Sequence, residues 1–150
     1  MLNDLDQAAA TNRFLDLLEA GDAGGVGAML SAHVTWSAPM SATGNVDDAE
    51  RTEGREAFRA RLSSIGALMQ SARFVDRRVT TSADGTTTFV QTRGDFRSAD
   101  GRPYRNVYVF RFDWQDGKIV AWEEYANPIT ILRTFPDVYG DLLRQLAVES

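Results

Sequence analysis

The sequence predicts an α+β domain in which helices come first, a curved antiparallel sheet follows, and a pocket lies between them. Three observations carry that expectation. Apolar residues in the first half recur at helical spacing. Asp-Gly pairs stand at 84–85, 100–101 and 116–117, sixteen residues apart each time. Their flanks, such as TTTFVQT and NVYVFRFDW, are rich in strand-favouring residues. A chain of 150 residues suits a single domain spanning 1–150, able to bury about 70% of its unfolded surface. Helices followed by a meander pack as layers, and a sheet curved around helices leaves a hollow where small ligands bind.

The elements follow in order. In RFLDLLEAGD, Phe14, Leu15, Leu17 and Leu18 form one apolar stripe, and Gly21 is a natural stop. Asp22 can cap a second short helix through Ala28, Met29 and Leu30, weakened by Gly24, Gly25 and Gly27. HVTWSAP reads as a strand closed by Pro39, and the polar stretch MSATGNVDDAERTEG as a loop. A third helix, Arg55 to Met69, carries Phe58, Leu62, Ile65 and Leu68 or Met69 on one face. Asp-Gly suits tight turns because they need positive φ. Three such turns join four expected antiparallel strands, near 73–82, 87–97, 104–114 and 119–126. Asn127-Pro128 then opens a helix, with Asn as cap and Pro at the first position; Pro136 breaks it, and a last helix runs over 137–147.

Composition removes several function classes. The net charge is −5 and the arginines are scattered, which argues against nucleic acid and anionic membranes as partners. Lys118, the only lysine, sits beside a turn glycine, so an internal Schiff base is not expected. Without cysteine there are no disulfides and no thiolate chemistry, and with His33 as the sole histidine no zinc site is expected. Gly24, Gly25 and Gly27 follow a helix and lack the context of a phosphate loop, and no serine has a nucleophile-elbow setting. No cofactor is therefore expected. No apolar run approaches the roughly 20 residues that span a bilayer. The N-terminus shows acidic residues at once and no basic lead into an apolar core, so the expected location is cytoplasmic.

The stretch TRGDF at 92–96 raises the question of chemistry. An adhesion signal belongs on an exposed loop, whereas this tripeptide falls mid-strand. On a strand, Arg93 and Asp95 share one face. Two readings stay open: a pair inside the pocket, or a salt bridge on the solvent face. The inward reading takes Phe89 and Gln91 inside with the pair and leaves Val90, Thr92 and Phe96 outside, unless Gly94 hosts a bulge that shifts the parity. Glu124 falls on one face with Val120 and Trp122, and an acid in register with such residues is expected in a lined pocket. Glu123 then points the other way. His33 reads as a solvated turn residue, with proton transfer or ligand contact as the alternative, since histidine suits proton transfer at neutral pH. Asp47, Asp48, Glu50 and Glu53, within the loop 41–54, read as a solvated stretch or as a lid over the pocket mouth.

VYVFRFDWQDGKIVAWEEYANPITILRTF resembles the closing half of SnoaL-like proteins of the nuclear-transport-factor-two-like superfamily. The opening resembles it too: a helix ending Ala-Gly-Asp, a short helix, a strand ending near Pro39, then Gly-Arg before a third helix. The resemblance implies a cone-shaped, cystatin-like α+β barrel with an apolar pocket, often dimeric through the outer sheet face. It does not choose a chemistry, because isomerases, cyclases, hydrolases, dehydratases and non-catalytic scaffolds share the fold. The ketosteroid isomerase branch has an aspartate where this chain has Ala38, and hydroxyl and carboxyl donors where it has Phe14 and Tyr108. TRGDFRSADGRPY and GKIVAWEEY are similar to the limonene epoxide hydrolase branch, whose Arg-x-Asp motif falls on Arg93 and Asp95 and whose second acid falls on Glu124. That branch's water-holding tyrosine and asparagine fall on Trp36 and Ala38.

The expectation is thus a small cofactor-independent enzyme acting on an oxygenated hydrophobic metabolite as isomerase, cyclase or epoxide-hydrolase-like hydrolase. Asp95 is the expected base, Arg93 the polarising group and Glu124 the acid; an Arg shared by two carboxyls can hold one ionised and the other protonated. Trp36, Tyr108, Phe110, Trp122 and Phe14 are the expected substrate-binding wall, with Tyr108 donating to a substrate oxygen. The rival expectations are a non-catalytic ligand-binding or homodimeric scaffold protein, and an accessory subunit of a larger complex.

Overall fold

The computed structural model describes residues 4–148. Helices α1 (Asp4–Ala20), α2 (Ala23–Met29) and α3 (Arg55–Ala67) precede most of the sheet; α4 (Pro128–Thr134) and α5 (Pro136–Val148) close the chain. The strands are β1 (Leu30–Ala38), β2 (Glu50–Glu53), β3 (Met69–Ser71), β4 (Phe74–Thr81), β5 (Thr87–Gly94), β6 (Phe96–Ser98), β7 (Pro103–Tyr104), β8 (Val107–Gln115) and β9 (Lys118–Ala126). Six of them form a sheet ordered β2-β1-β9-β8-β5-β4, and β3-β6-β7 form a smaller one. The α+β architecture with a curved, antiparallel-rich sheet and N-terminal helices is the one expected. One pairing departs from the antiparallel pattern: β1 runs parallel to β9, with Trp36 beside Trp122.

Local chemistry explains most boundaries. The Asp22 side chain accepts from the Gly25 N–H to start α2, and Asn127 accepts from the Ile129 N–H to start α4, with Pro128 inside the first turn. Gly85, Gly101 and Gly117 all have φ near +70 to +86°, which the three tight turns require. The turns at 84–85 and 116–117 join β4 to β5 and β8 to β9 as expected, but the turn at 100–101 joins only the short β6 and β7. The two expected strands around it are therefore each broken, at Asp95 and at Arg105–Asn106. Asn106 holds the second break. Its buried side chain donates to the Tyr104 hydroxyl (3.0 Å) and the Asn127 carbonyl (3.1 Å), and it accepts from the Val107 and Asn127 N–H groups. β2, inside the expected polar loop, and β3, at the end of the expected third helix, are additions that the periodicity did not announce.

The core lies between α1 and the inner sheet face. Phe14 and Leu15 of α1 are fully buried, and Phe14 meets Phe112 and Trp122 edge-on at 5.5 Å each. A buried hydrogen-bond chain crosses the layers: the Trp114 indole donates to Thr88 Oγ1 (3.0 Å), which bonds Thr11 Oγ1 (2.9 Å), which donates to the Gln7 carbonyl (2.8 Å). Arg77 ties β4 to α1 through Asp16 (2.7 Å) and Glu19 (2.8 Å). α3 is different. Phe58 is buried, whereas Leu62 is only partly buried and Ile65 is exposed, so the apolar face that would ordinarily close a core stays open.

Candidate active site

That open face borders a cavity of about 920 Å³ between α3, the inner sheet face and the C-terminal helices. Leu62, Ile65, Leu68 and Met69 line one side, and Phe74, Phe96, Tyr104, Tyr108 and Trp122 line the sheet side. Phe135 and Tyr139, from the C-terminal segment, contribute a third wall. An apolar helix face turned to a hollow rather than to a core costs hydrophobic free energy, about 25 cal/mol per Å² of surface left wet, and such hollows are the usual setting of ligand sites.

Glu124 is the acid that β9 delivers to this hollow. It sits cross-strand from Phe110 and two residues beyond Trp122, whose ring is packed by Phe14, Phe58, Phe110 and Phe112 at 5.2–5.5 Å. Removal from water pushes its carboxyl up to about 7, against the pull of the Arg61 guanidinium and with a further push from the Glu50 carboxylate. The group therefore exchanges its proton near neutrality. Beside it, Tyr108 donates to the Tyr104 hydroxyl at 3.3 Å. Burial raises both phenols, so they stand as neutral hydroxyls. At the rim, Arg61 of α3 lies 3.8 Å over the Trp36 ring and donates to Glu50 at 2.5 Å.

The residues expected at the site divide. Trp36, Tyr108, Trp122 and Glu124 border the cavity. Phe110 and Phe14 do not; both are fully buried in the core behind it. Arg93 and Asp95 lie outside altogether. Arg93 pairs with Asp76 on the outer sheet face, its side chain 67% exposed, and Asp95 lies 3.6 Å from Arg105 with 52% exposure. The expected convergence of Arg93, Asp95 and Glu124 is therefore corrected: only Glu124 faces inward.

Strand parity is the reason. Thr88, Val90, Thr92, Gly94 and Phe96 occupy the inner face, which forces Phe89, Gln91, Arg93 and Asp95 outward. Gly94 falls on that inner face where there is no room for a side chain, since a Cβ there would come within 2.8 Å of the Tyr108 ring. Parity fails in the other direction on β9: a shift of register between Asp113 and Trp114 puts Ile119 inside with Trp122 and Glu124, where Val120 was expected. Glu123 points away, accepting from the Tyr125 hydroxyl at 2.9 Å. His33 lies on the exposed side of β1 and does not border the cavity.

Arg61, Tyr104 and Tyr139 join the site without having been singled out from sequence, and Glu50, read there only as part of the acidic stretch, joins them. Arg61 was within reach, standing three residues after Phe58 on the same helical face. Tyr104 and Asn106 share the parity of Tyr108, but the strand break hides it. Glu50 and the loop segment Met40–Thr43 border the cavity, so the acidic stretch flanks the pocket. Among the described residues, no cluster of three or more His, Cys, Asp or Glu could hold a metal ion, and no helix is long and apolar enough to cross a membrane.

Comparisons with known proteins agree with this fold. A "Putative Isomerase from Bacillus subtilis" superposes with a TM-score of 0.77 at 21% identity, covering 89% of this chain and 96% of the other. A "putative polyketide cyclase" from Pseudomonas putida KT2440 superposes with a TM-score of 0.68 at 21% identity, covering 85% and 93%. At these identities the likeness is one of fold. In sequence, the uncharacterized protein YesE of Bacillus subtilis (strain 168) is 28% identical over 87 residues, 57% of this chain and 59% of YesE, so the match spans little more than half of either. Residues 11–122 match the SnoaL-like domain, and the chain belongs to that family.

Proposed function

We propose that this protein is a small cofactor-independent enzyme that moves a proton on an oxygenated hydrophobic metabolite, with Glu124 as the group that gives and takes it. The observation that carries the reading is the position of Glu124: a carboxyl facing an apolar hollow, titrating near 7, with neutral tyrosine hydroxyls beside it. A general acid or base is most effective when its proton exchanges near the working pH. Tyr108 and Tyr104 supply hydrogen-bond donors for a substrate oxygen. Arg61 holds the rim. Isomerisation and cyclisation fit a single carboxyl that takes and returns one proton. An epoxide-hydrolase-like reaction through Arg93 and Asp95 is disfavoured, because both side chains face solvent.

The test is Glu124→Gln against wild type on a panel of cyclic enones, aromatic polyketide analogues and terpenoid epoxides. Loss of roughly 10²–10⁴ in rate is expected for removal of a positioned acid or base. Turnover by wild type with an undiminished rate in the variant refutes the role of Glu124.

A second reading is a non-catalytic ligand-binding protein, favoured by the placement of Arg93 and Asp95 away from Glu124. It predicts retention of panel compounds with no turnover. A homodimer through the outer sheet face goes with either reading, supported by exposed Phe89, Val107 and Val109 there. A monomer in light scattering at micromolar concentration would exclude it. The cytoplasmic setting rests on the cysteine-free composition, and cell fractionation tests it.

A further inference from the structure

Charge at the cavity border is unevenly paired. Both arginines there are taken: Arg61 donates to Glu50 at 2.5 Å, and Arg59 stands 3.6 Å from Glu56. Among the described residues that leaves Asp22, Asp48 and Glu124, all of them acids. Asp22 accepts from the Gly25 N–H at 2.9 Å to start α2, and Asp48 accepts from the Thr43 hydroxyl at 2.8 Å. Glu124 accepts no hydrogen bond from any described residue. Its oxygens are not sealed in either. The fully buried side-chain polar atoms without a partner are Gln7 Oε1, Arg61 Nε and Trp122 Nε1, so the unbonded Glu124 oxygens keep surface toward the hollow that the residue borders.

The walls suit a cation. Aromatic rings present electron-rich faces, and at the rim one already receives a positive group: the Arg61 guanidinium lies 3.8 Å over the Trp36 ring. Trp36 is the register partner of Trp122, two residues before Glu124, and Phe74, Tyr108 and Tyr139 extend the aromatic surface across the hollow. The charged and titratable groups that act on Glu124 come from five elements: Arg61 of α3, Glu50 of β2, Tyr104 of β7, Tyr108 of β8 and Tyr139 of α5. Glu50 offsets Arg61, and burial keeps the three phenols neutral. A desolvated carboxyl without a cation of its own gains most from a ligand that brings one. An anionic ligand would instead add like charge beside the unpaired acids.

We propose that the cavity takes a primary or secondary amine with an apolar, ring-bearing body, bound as its ammonium ion, with N–H groups donating to the Glu124 carboxylate and the charge lying against the aromatic wall. This rests on the reading of the cavity as a small-molecule site around Glu124, and it narrows the oxygenated metabolite to one that also carries a basic nitrogen. The bound ammonium holds Glu124 ionised, which is the form that accepts a proton.

The test uses three compounds of nearly one shape: 2-(2-naphthyl)ethylamine, 2-(2-naphthyl)ethanol and 2-naphthylacetate. Binding to the full chain is followed by calorimetry at pH 7. The amine should bind about tenfold or more tightly than the alcohol, as a hydrogen bond to a charged group gives, and the acetate more weakly than both. Glu124 is about half protonated at this pH, so amine binding should release about half a proton, read from the heats in two buffers of different ionisation enthalpy. The alcohol should release none. In Glu124→Gln the preference for amine over alcohol and the proton release should both disappear.

Binding of the alcohol as tight as that of the amine overturns the amine assignment and leaves the cavity reading standing, and tightest binding by the acetate does the same. An amine preference that survives in Glu124→Gln, or that comes without proton release, puts the cation elsewhere and overturns Glu124 as its partner. Binding by none of the three also overturns the assignment; the reading beneath it is then decided separately, by turnover of the enone, polyketide and epoxide panel.

Discussion

Glu124→Gln removes a carboxyl whose neutral form the folded protein favours, and it has a consequence for stability that no substrate is needed to read. An unfolded glutamate ionises near its ordinary value of 4.5, while in the cavity the group ionises near 7. Each tenfold difference in proton affinity is worth 1.36 kcal/mol, so the full displacement corresponds to about 3 kcal/mol, an upper bound because the cavity is open to solvent. The unfolded chain gives up its proton first. Below about pH 4.5 both states hold the proton and the group is neutral in its effect; between about 4.5 and 7 stability falls as pH rises; above 7 the penalty is complete. Gln cannot ionise and carries no such penalty. The variant should therefore match wild type near pH 4.5 and be more stable at pH 8 by up to about 3 kcal/mol, roughly 6–12 °C in Tm for a chain of this size. Urea and thermal unfolding of both proteins, at half-unit steps from pH 4.5 to 8.5, measure it. Parallel pH profiles for the two proteins would refute the burial argument, and with it the case for Glu124 as a near-neutral proton carrier.

Other consequences are simpler. Arg93→Ala and Asp95→Ala should each change stability by less than about 0.5 kcal/mol and leave binding or turnover of the panel compounds unchanged, since both pairs sit at the solvent surface; urea midpoints and the same compound panel check this. Gly94→Ala would place a Cβ 2.8 Å from the Tyr108 ring and 3.3 Å from that of Phe96, and should cost about 1–3 kcal/mol in thermal unfolding. Asn127→Ala removes the side-chain acceptor for the Ile129 N–H at the start of α4 and should cost about 1 kcal/mol by the same measurement.

The contrast between Asp95 and Glu124 shows how far one dimension reaches. Helical spacing, the Asp-Gly turns and the Asn-Pro cap are local signals, with causes lying within a few residues, and they determined the order of the helices and the longer strands, while the family showed in the likeness of whole stretches such as VYVFRFDWQDGKIVAWEEYANPITILRTF. Alternation also determined that Glu123 and Glu124 face opposite ways. It could not say which face is inside, because Phe89 and Phe96 put aromatics on both sides of one strand. That choice needed the opposing surfaces: Phe14 of α1 filling the space over Phe112 and Trp122, and the Tyr108 ring pressing where only Gly94 fits. The register shift on β9 and the break held by Asn106 likewise depend on partners far along the chain. Arg61 and Glu50 meet across eleven residues, and Arg61 and Trp36 across two elements, so their place at the rim belongs to the tertiary structure. Sequence fixes what a residue can do chemically. Packing decides whether water reaches it, and that difference separates a surface ion pair from a carboxyl that titrates near 7.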